Sequence, residues 1–139
     1  MTLKIRLQTI AIRSIDDFEG AFAAAAQEHA EAVVILSSPL VGRHPNELAR
    51  LAARRRLPTI SMFKELARAG GLFACGPQQA ELYCRLGGLA GRVLKGARHA
   101  ELPLERPVTF LLTVNLKTAK ALGLTIPPAV LARADEVIE

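Results

Sequence analysis

The sequence predicts an α/β domain: a three-layer arrangement with a mostly parallel sheet of about five strands and helices on both faces. Three observations carry this. Short apolar runs, β-branched or alternating, take turns with segments of helical periodicity, as βαβ units require. The chain has 139 residues, enough for one hydrophobic core and short for two lobes of ordinary size. Half of the residues are hydrophobic and 4% aromatic, with Ala and Leu prominent, which favours helices packed on a sheet.

Residues 3–12 alternate, with Leu3, Ile5 and Leu7 on one face and Lys4, Arg6 and Gln8 on the other. That is the period of a strand near a sheet edge. Ser14 stands three residues before Asp17, a capping-box-like start for a helix over 15–29. Residues 32–36 are a continuous, β-branched apolar run, suited to a strand buried on both faces. The turn Ser37-Ser38-Pro39 closes it, and a helix over 45–55 opens with Pro45 in its first turn. A third strand spans 57–62 and a short helix 63–69, ended by Gly70-Gly71. A fourth strand at 72–75 leads through Gly76-Pro77 into the longest helix, 78–95, stopped by Gly96. After a polar loop at 97–107 come a fifth strand at 108–114 and a helix at 116–122 ended by Gly123. Pro127-Pro128 starts the last helix. Ligands of such sheets bind beyond the carboxyl ends of the strands. The loops to inspect are therefore 37–44, 61–64, 75–79 and 115–117.

The net charge is +5, but the basic residues are scattered. The one dense cluster, Arg54-Arg55-Arg56, reads as a solvated helix end, without the aromatic interleaving that stacks bases. No nucleic-acid partner is expected. Cys75 and Cys84 form neither a disulfide framework nor a C-x-x-C pair. The start has no apolar h-region and no stretch is long enough to span a membrane, so the chain as written is expected in the cytoplasm.

Catalytic and cofactor signatures are weak. Gly87, Gly88 and Gly91 lie inside the long helix, whereas phosphate cradling needs glycines between strand and helix. No cofactor is expected. His29, His44 and His99 sit in separate segments, none at metal-ligand spacing, so no metal is expected. Ser38 and Cys75 lie at strand ends, but neither has a base at recognisable spacing and no G-x-S-x-G elbow surrounds Ser38. The chain is read as a non-enzyme. Ser37 and Ser38 admit two readings: hydroxyls and backbone N–H groups that hold a small anion, or a plain turn with an N-cap. The long helix also admits two. Leu82, Leu86, Leu89 and Val93 recur at heptad-like spacing, and Tyr83, Ala90 and Leu94 widen the stripe. It is either a sandwiched core helix or a helix with one face on a partner.

The run LTVNLKTAKALGLTIPP at 112–128 resembles the closing signature of the solute-binding proteins of ABC transporters, and LARADEVI at 131–138 resembles their C-terminus. Similar stretches occur at 18–26, 48–58, 69–72, 76–77 and 91–96, nearly the whole chain. The resemblance implies one Rossmann-like lobe, the C-terminal one, of a type I periplasmic binding protein, a class related to binders of tryptophan and other aromatic amino acids. It implies a single domain over 1–139, whose long helix, within 77–96, would pack on an N-terminal lobe. It also implies export to the periplasm, a small solute such as an amino acid, and an ABC permease as partner. The expected ligand-binding residues are Ser37, Ser38, Pro39, Ser61, Cys75 and Asn115. Where relatives commonly carry Asp before the Pro this chain has Ser38, and where they carry Tyr it has Ser61 and Cys75, which leaves two readings: a degenerate remnant, or a binder of a smaller or more anionic solute. With the other lobe absent, Leu82, Leu86, Leu89 and Val93 are expected to bury themselves in a homodimer. The alternative is a ligand-free dimeric structural or regulatory module derived from such a lobe.

Overall fold

A computed structural model describes residues 4–103 and 106–139. In chain order the elements are α1 (Asp17–Gln27), β1 (Val33–Ile35), α2 (Pro39–Arg43), α3 (Pro45–Arg54), β2 (Thr59–Ser61), α4 (Lys64–Arg68), β3 (Phe73–Pro77), α5 (Gln79–Leu94), β4 (Phe110–Asn115), α6 (Leu116–Leu122), α7 (Pro128–Leu131) and β5 (Glu136–Ile138), with a 3-10 turn at His99–Glu101. The five strands form one sheet in the order β1-β2-β3-β4-β5. β1, β2 and β3 are parallel. β4 runs antiparallel to β3, and β5 parallel to β4. The α/β class and the mostly parallel sheet follow the sequence prediction.

One expected strand is absent and one unexpected strand is present. Residues 4–12 form no strand; Ile5 and Leu7 are 65% and 85% exposed. Leu3 lies outside the described residues. A period of two shows that a segment suits a sheet, but a strand exists only where a neighbour supplies its hydrogen bonds. In the described residues none does. The fifth strand of the sheet is instead Glu136–Ile138, in a stretch the sequence leaves after the last helix. It is held by Arg68, whose Nε and Nη2 reach the Glu136 carboxylate at 2.8 and 3.1 Å, and by Leu112 N donating to Asp135 Oδ2 at 2.8 Å.

The core lies between the sheet and the layer of α1, α3 and α4, with Phe18, Leu48 and Ala67 essentially sealed from water. α1 starts where its capping signal lies: Asp17 Oδ2 accepts from the backbone N–H of Arg13 (2.7 Å) and Ser14 (2.9 Å). Those two donors hold the Asp17 carboxyl below the usual carboxylate range. α1 and α3 end with His29 and Arg56 in the left-handed region, the cap position that glycine usually fills. Arg54, Arg55 and Arg56 are exposed there, and Arg55 meets Glu19 at 3.6 Å. Cover of the opposite sheet face is partial. Strand alternation points Val34 away from the buried Ile35, and Val34 is 64% exposed.

Among the described residues one buried side-chain group lacks a partner. Thr59 Oγ1 is sealed in the core without a hydrogen bond, beside the bare Cα of Gly71. Its desolvation is uncompensated. Thr59→Val keeps the shape and removes the hydroxyl, so stability is expected to rise by about 1 kcal/mol in urea unfolding. A fall would mean that the hydroxyl has a partner, such as a bound water.

Candidate functional site

Strand register builds the edge at which a ligand would sit. Ile35 of β1 aligns with Ser61 of β2, and Ser61 with Ala74 of β3. The carboxyl ends of the three parallel strands therefore come level. Ser37 and Ser38 leave β1, Ser61 ends β2, and Cys75 lies just beyond on β3. One close approach fixes this edge. A Cβ on Gly76 would stand 2.0 Å from the carbonyl oxygen of Met62 and 2.9 Å from its carbon. Only glycine lets the loop after β2 lie against β3 this tightly.

The predicted residues take different roles here. Ser37 is exposed. Ser38 caps α2, its Oγ accepting from Val41 N at 3.2 Å, with Pro39 at the first helical position. Of the two readings of this turn, the N-cap is thus present. Ser61 is buried, and its Oγ donates to Phe63 O (2.9 Å) and accepts from Phe63 N (3.2 Å), shaping the loop after β2. Cys75 is a free, exposed thiol.

Asn115 does not belong to this group. β4 runs opposite to β1–β3, so its carboxyl end lies at the other edge of the sheet. There Asn115 N donates to Leu72 O (2.9 Å), Nδ2 to Ala67 O (2.8 Å), and Oδ1 accepts from Thr118 N (2.9 Å). It is a buried brace and the cap of α6.

The structure adds residues that sequence reasoning missed. Val41, Gly42, Pro45, Phe63, Glu65 and Leu66 line a shallow cleft with Ser61. The cleft is small, about 10 Å³, and its wall is almost wholly apolar; Phe63 and the exposed Glu65 are among the residues that line it. Its one sequence signal is that Phe63 and Glu65 follow the end of a buried strand. The helix α2 itself was also missed, although a Ser cap before Pro at the first position announces one.

Other candidates resolve as structural. His44 precedes α3, its ring edge-on to Phe18 at 6.0 Å and its Nδ1 3.9 Å from Glu47. Among the described residues no three His, Cys, Asp or Glu side chains gather as a metal site would require. Among the described residues no helix is long and apolar enough to cross a membrane. α5 buries none of its residues, which removes the reading of it as a sandwiched core helix. Leu86 and Val93 are exposed, and Leu82 and Leu89 half-buried.

A family model described as "ABC transporter substrate binding protein" matches residues 2–138. No curated protein sequence matches the chain. Among solved structures, an ABC domain in complex with L-Trp from Streptococcus pneumoniae aligns with TM-score 0.86 at 24% identity, over 94% of this chain and 44% of that one. A conserved domain protein from Vibrio cholerae aligns with TM-score 0.81 at 22% identity, over 89% and 42%. A ligand-free, open substrate-binding protein with adhesive properties from Clostridium difficile gives 0.63 at 17% identity, over 92% and 42%. The chain thus spans less than half the length of these structures, and at such identities the likeness shows the fold.

Proposed function

The chain belongs to the ABC transporter substrate-binding protein family, and from that premise we propose that it binds a small amino-acid-like solute at the carboxyl edge of β1–β3. The level carboxyl ends of β1, β2 and β3 beside Ser61 carry this reading. Glu65 offers a carboxylate to a ligand ammonium, and Phe63 offers a ring to an apolar side chain. The turn at Ser37 and Ser38 offers N–H and O–H donors to a ligand carboxylate. These groups supply an acid and an aromatic surface at an edge where Ser38, Ser61 and Cys75 provide neither.

The role is binding rather than catalysis. The solute is passed to an ABC permease, and the place of action is outside the cytoplasm. A lobe on its own gives half of the contacts that a closing clamshell gives, so its affinity is in the millimolar range unless another lobe completes the cleft. A second reading, a ligand-free structural or regulatory module, is favoured by the local use of the Ser38 and Ser61 hydroxyls.

A thermal-shift screen against amino acids, small carboxylates and phosphate separates the two. The pneumococcal structure contains L-Trp, which puts aromatic amino acids first. Binding to the folded state raises stability by RT ln(1 + [L]/Kd), so a millimolar ligand gives about 1.4 kcal/mol at tenfold excess over Kd. The expected result is a rise with an amino acid that Glu65→Gln abolishes without changing the unliganded midpoint. No shift with any compound, from a protein that melts cooperatively, favours the module.

A further inference from the structure

The chain turns from strand to helix within a single residue. β3 ends at Pro77, α5 begins at Gln79, and only Gln78 lies between them. The backbone torsions of that residue are a pivot for a helix of 16 residues, about 24 Å long. Further along, α5 has little to hold its direction: it buries none of its residues, and its contact with the other described elements is marginal. The Gln78 side chain gives the helix no cap. Whatever fixes the angle acts in the first turn.

That turn is tied to the returning chain at two levels. The antiparallel pairing of β3 and β4 runs out to Pro77 and Phe110, and Gln78 N then donates to Thr109 O at 3.1 Å. One turn into the helix, the half-buried Glu81 reaches back to the same residue, its carboxylate accepting from the Thr109 hydroxyl. Arg85 Nη2 donates to Glu81 Oε1 from the other side at 2.6 Å, which orients the carboxylate. These two donors hold the Glu81 carboxyl below the usual carboxylate range. A helix attached at one point can pivot there, whereas attachment at two points a turn apart sets its direction. Hydrogen bonds to an ionised carboxylate are short and strong enough to serve as the second point. We propose that Glu81 is a positioning residue: its carboxylate and the Thr109 hydroxyl form a clasp that sets the angle at which α5 leaves the sheet. The clasp lies at the carboxyl end of β3, the strand that brings Cys75 and Gly76 to the candidate ligand edge, so it fixes the helix relative to that edge. It acts within the chain and is independent of what lies against the apolar stripe of α5.

The angle can be read by double electron–electron resonance between spin labels on the exposed Cys75 of β3 and on Leu94→Cys at the far end of α5, in a Cys84→Ser background. Leu94 is 88% exposed, so a label there disturbs no packing within the chain. With the clasp intact, one narrow distance distribution is expected. A swing at the joint is magnified along about 24 Å of helix, so Glu81→Ala and Thr109→Val are each expected to widen the distribution about twofold. Their far-ultraviolet spectra are expected to stay unchanged, because the helix itself remains formed. Thr109→Ser keeps the hydroxyl and is expected to keep the narrow distribution. An unchanged width in Glu81→Ala and Thr109→Val would overturn the proposal and leave the angle to the backbone at Gln78. A broad distribution with the clasp intact would overturn it as well. So would a loss of helical signal in Glu81→Ala, which would assign the carboxylate to holding the first turn of α5 together.

Discussion

Gly76→Ala is expected to remove about 3 kcal/mol of folding stability, the upper end for overpacking a well-filled site. The added methyl would meet the Met62 carbonyl at 2.0 Å, closer than van der Waals contact permits. A flexible side chain could swing aside, but this obstacle is backbone, on a loop whose turn is pinned by the two Ser61–Phe63 hydrogen bonds. Either β3 or the loop must move, and the loop sits between two residues of the candidate cleft. Ligand-induced stabilisation should therefore fall along with stability. Urea unfolding reads the first effect as a lower midpoint at unchanged slope. A loss below about 0.5 kcal/mol would show that the loop and strand can separate freely, and that this contact does not set the edge.

Phe18→Ala is expected to cost about 3–5 kcal/mol. Phe18 is 1% exposed, at the heart of the layer where α1 meets α3, and its ring also holds His44 edge-on. Total stability of a domain this size is about 5–15 kcal/mol, so such a loss should leave a protein that melts with little cooperativity near physiological temperature. Phe110→Ala is the control: the same chemistry at a residue 56% exposed should cost far less. Calorimetry of the two variants checks the contrast. Equal losses would mean that the α1–α3 layer is not the main core.

The parts of this architecture readable in the sequence are those set by local physics. The Ser14–Asp17 start of α1, Pro45 opening α3 and Gly123 closing α6 depend on a few neighbouring residues, and they appear where their residues predict. Pairing is different. The alternation in residues 3–12 predicts a strand but cannot supply a neighbour. Conversely, Glu136–Ile138 is too short to show a period, and joins the sheet because Asp135 and Glu136 find partners on β4 and α4. Strand direction is invisible in the same way. Nothing in residues 110–115 tells that β4 runs backwards, and that reversal carries Asn115 from the ligand edge to the opposite one. The cleft was half legible. Ser61 could be placed from the end of its strand, but Phe63 and Glu65 join it only through the path of the loop and the start of α4.

The amphipathic period of α5 was legible as well, and the structure shows that its apolar stripe is not spent on this chain's own core. That separates two questions about the molecule, what its cleft binds and what its helix meets. The first decides whether it works as its family does. The most direct measurement is an amide NMR titration of the isotope-labelled chain with the amino acid giving the largest thermal shift, or with L-Trp if none does. Shift changes confined to Ser37, Ser38, Ser61–Phe63 and Glu65, saturating in the millimolar range and absent in Glu65→Gln, are the predicted result. No change up to 20-fold above a millimolar Kd, or changes centred on Asn115 at the opposite edge, would contradict it.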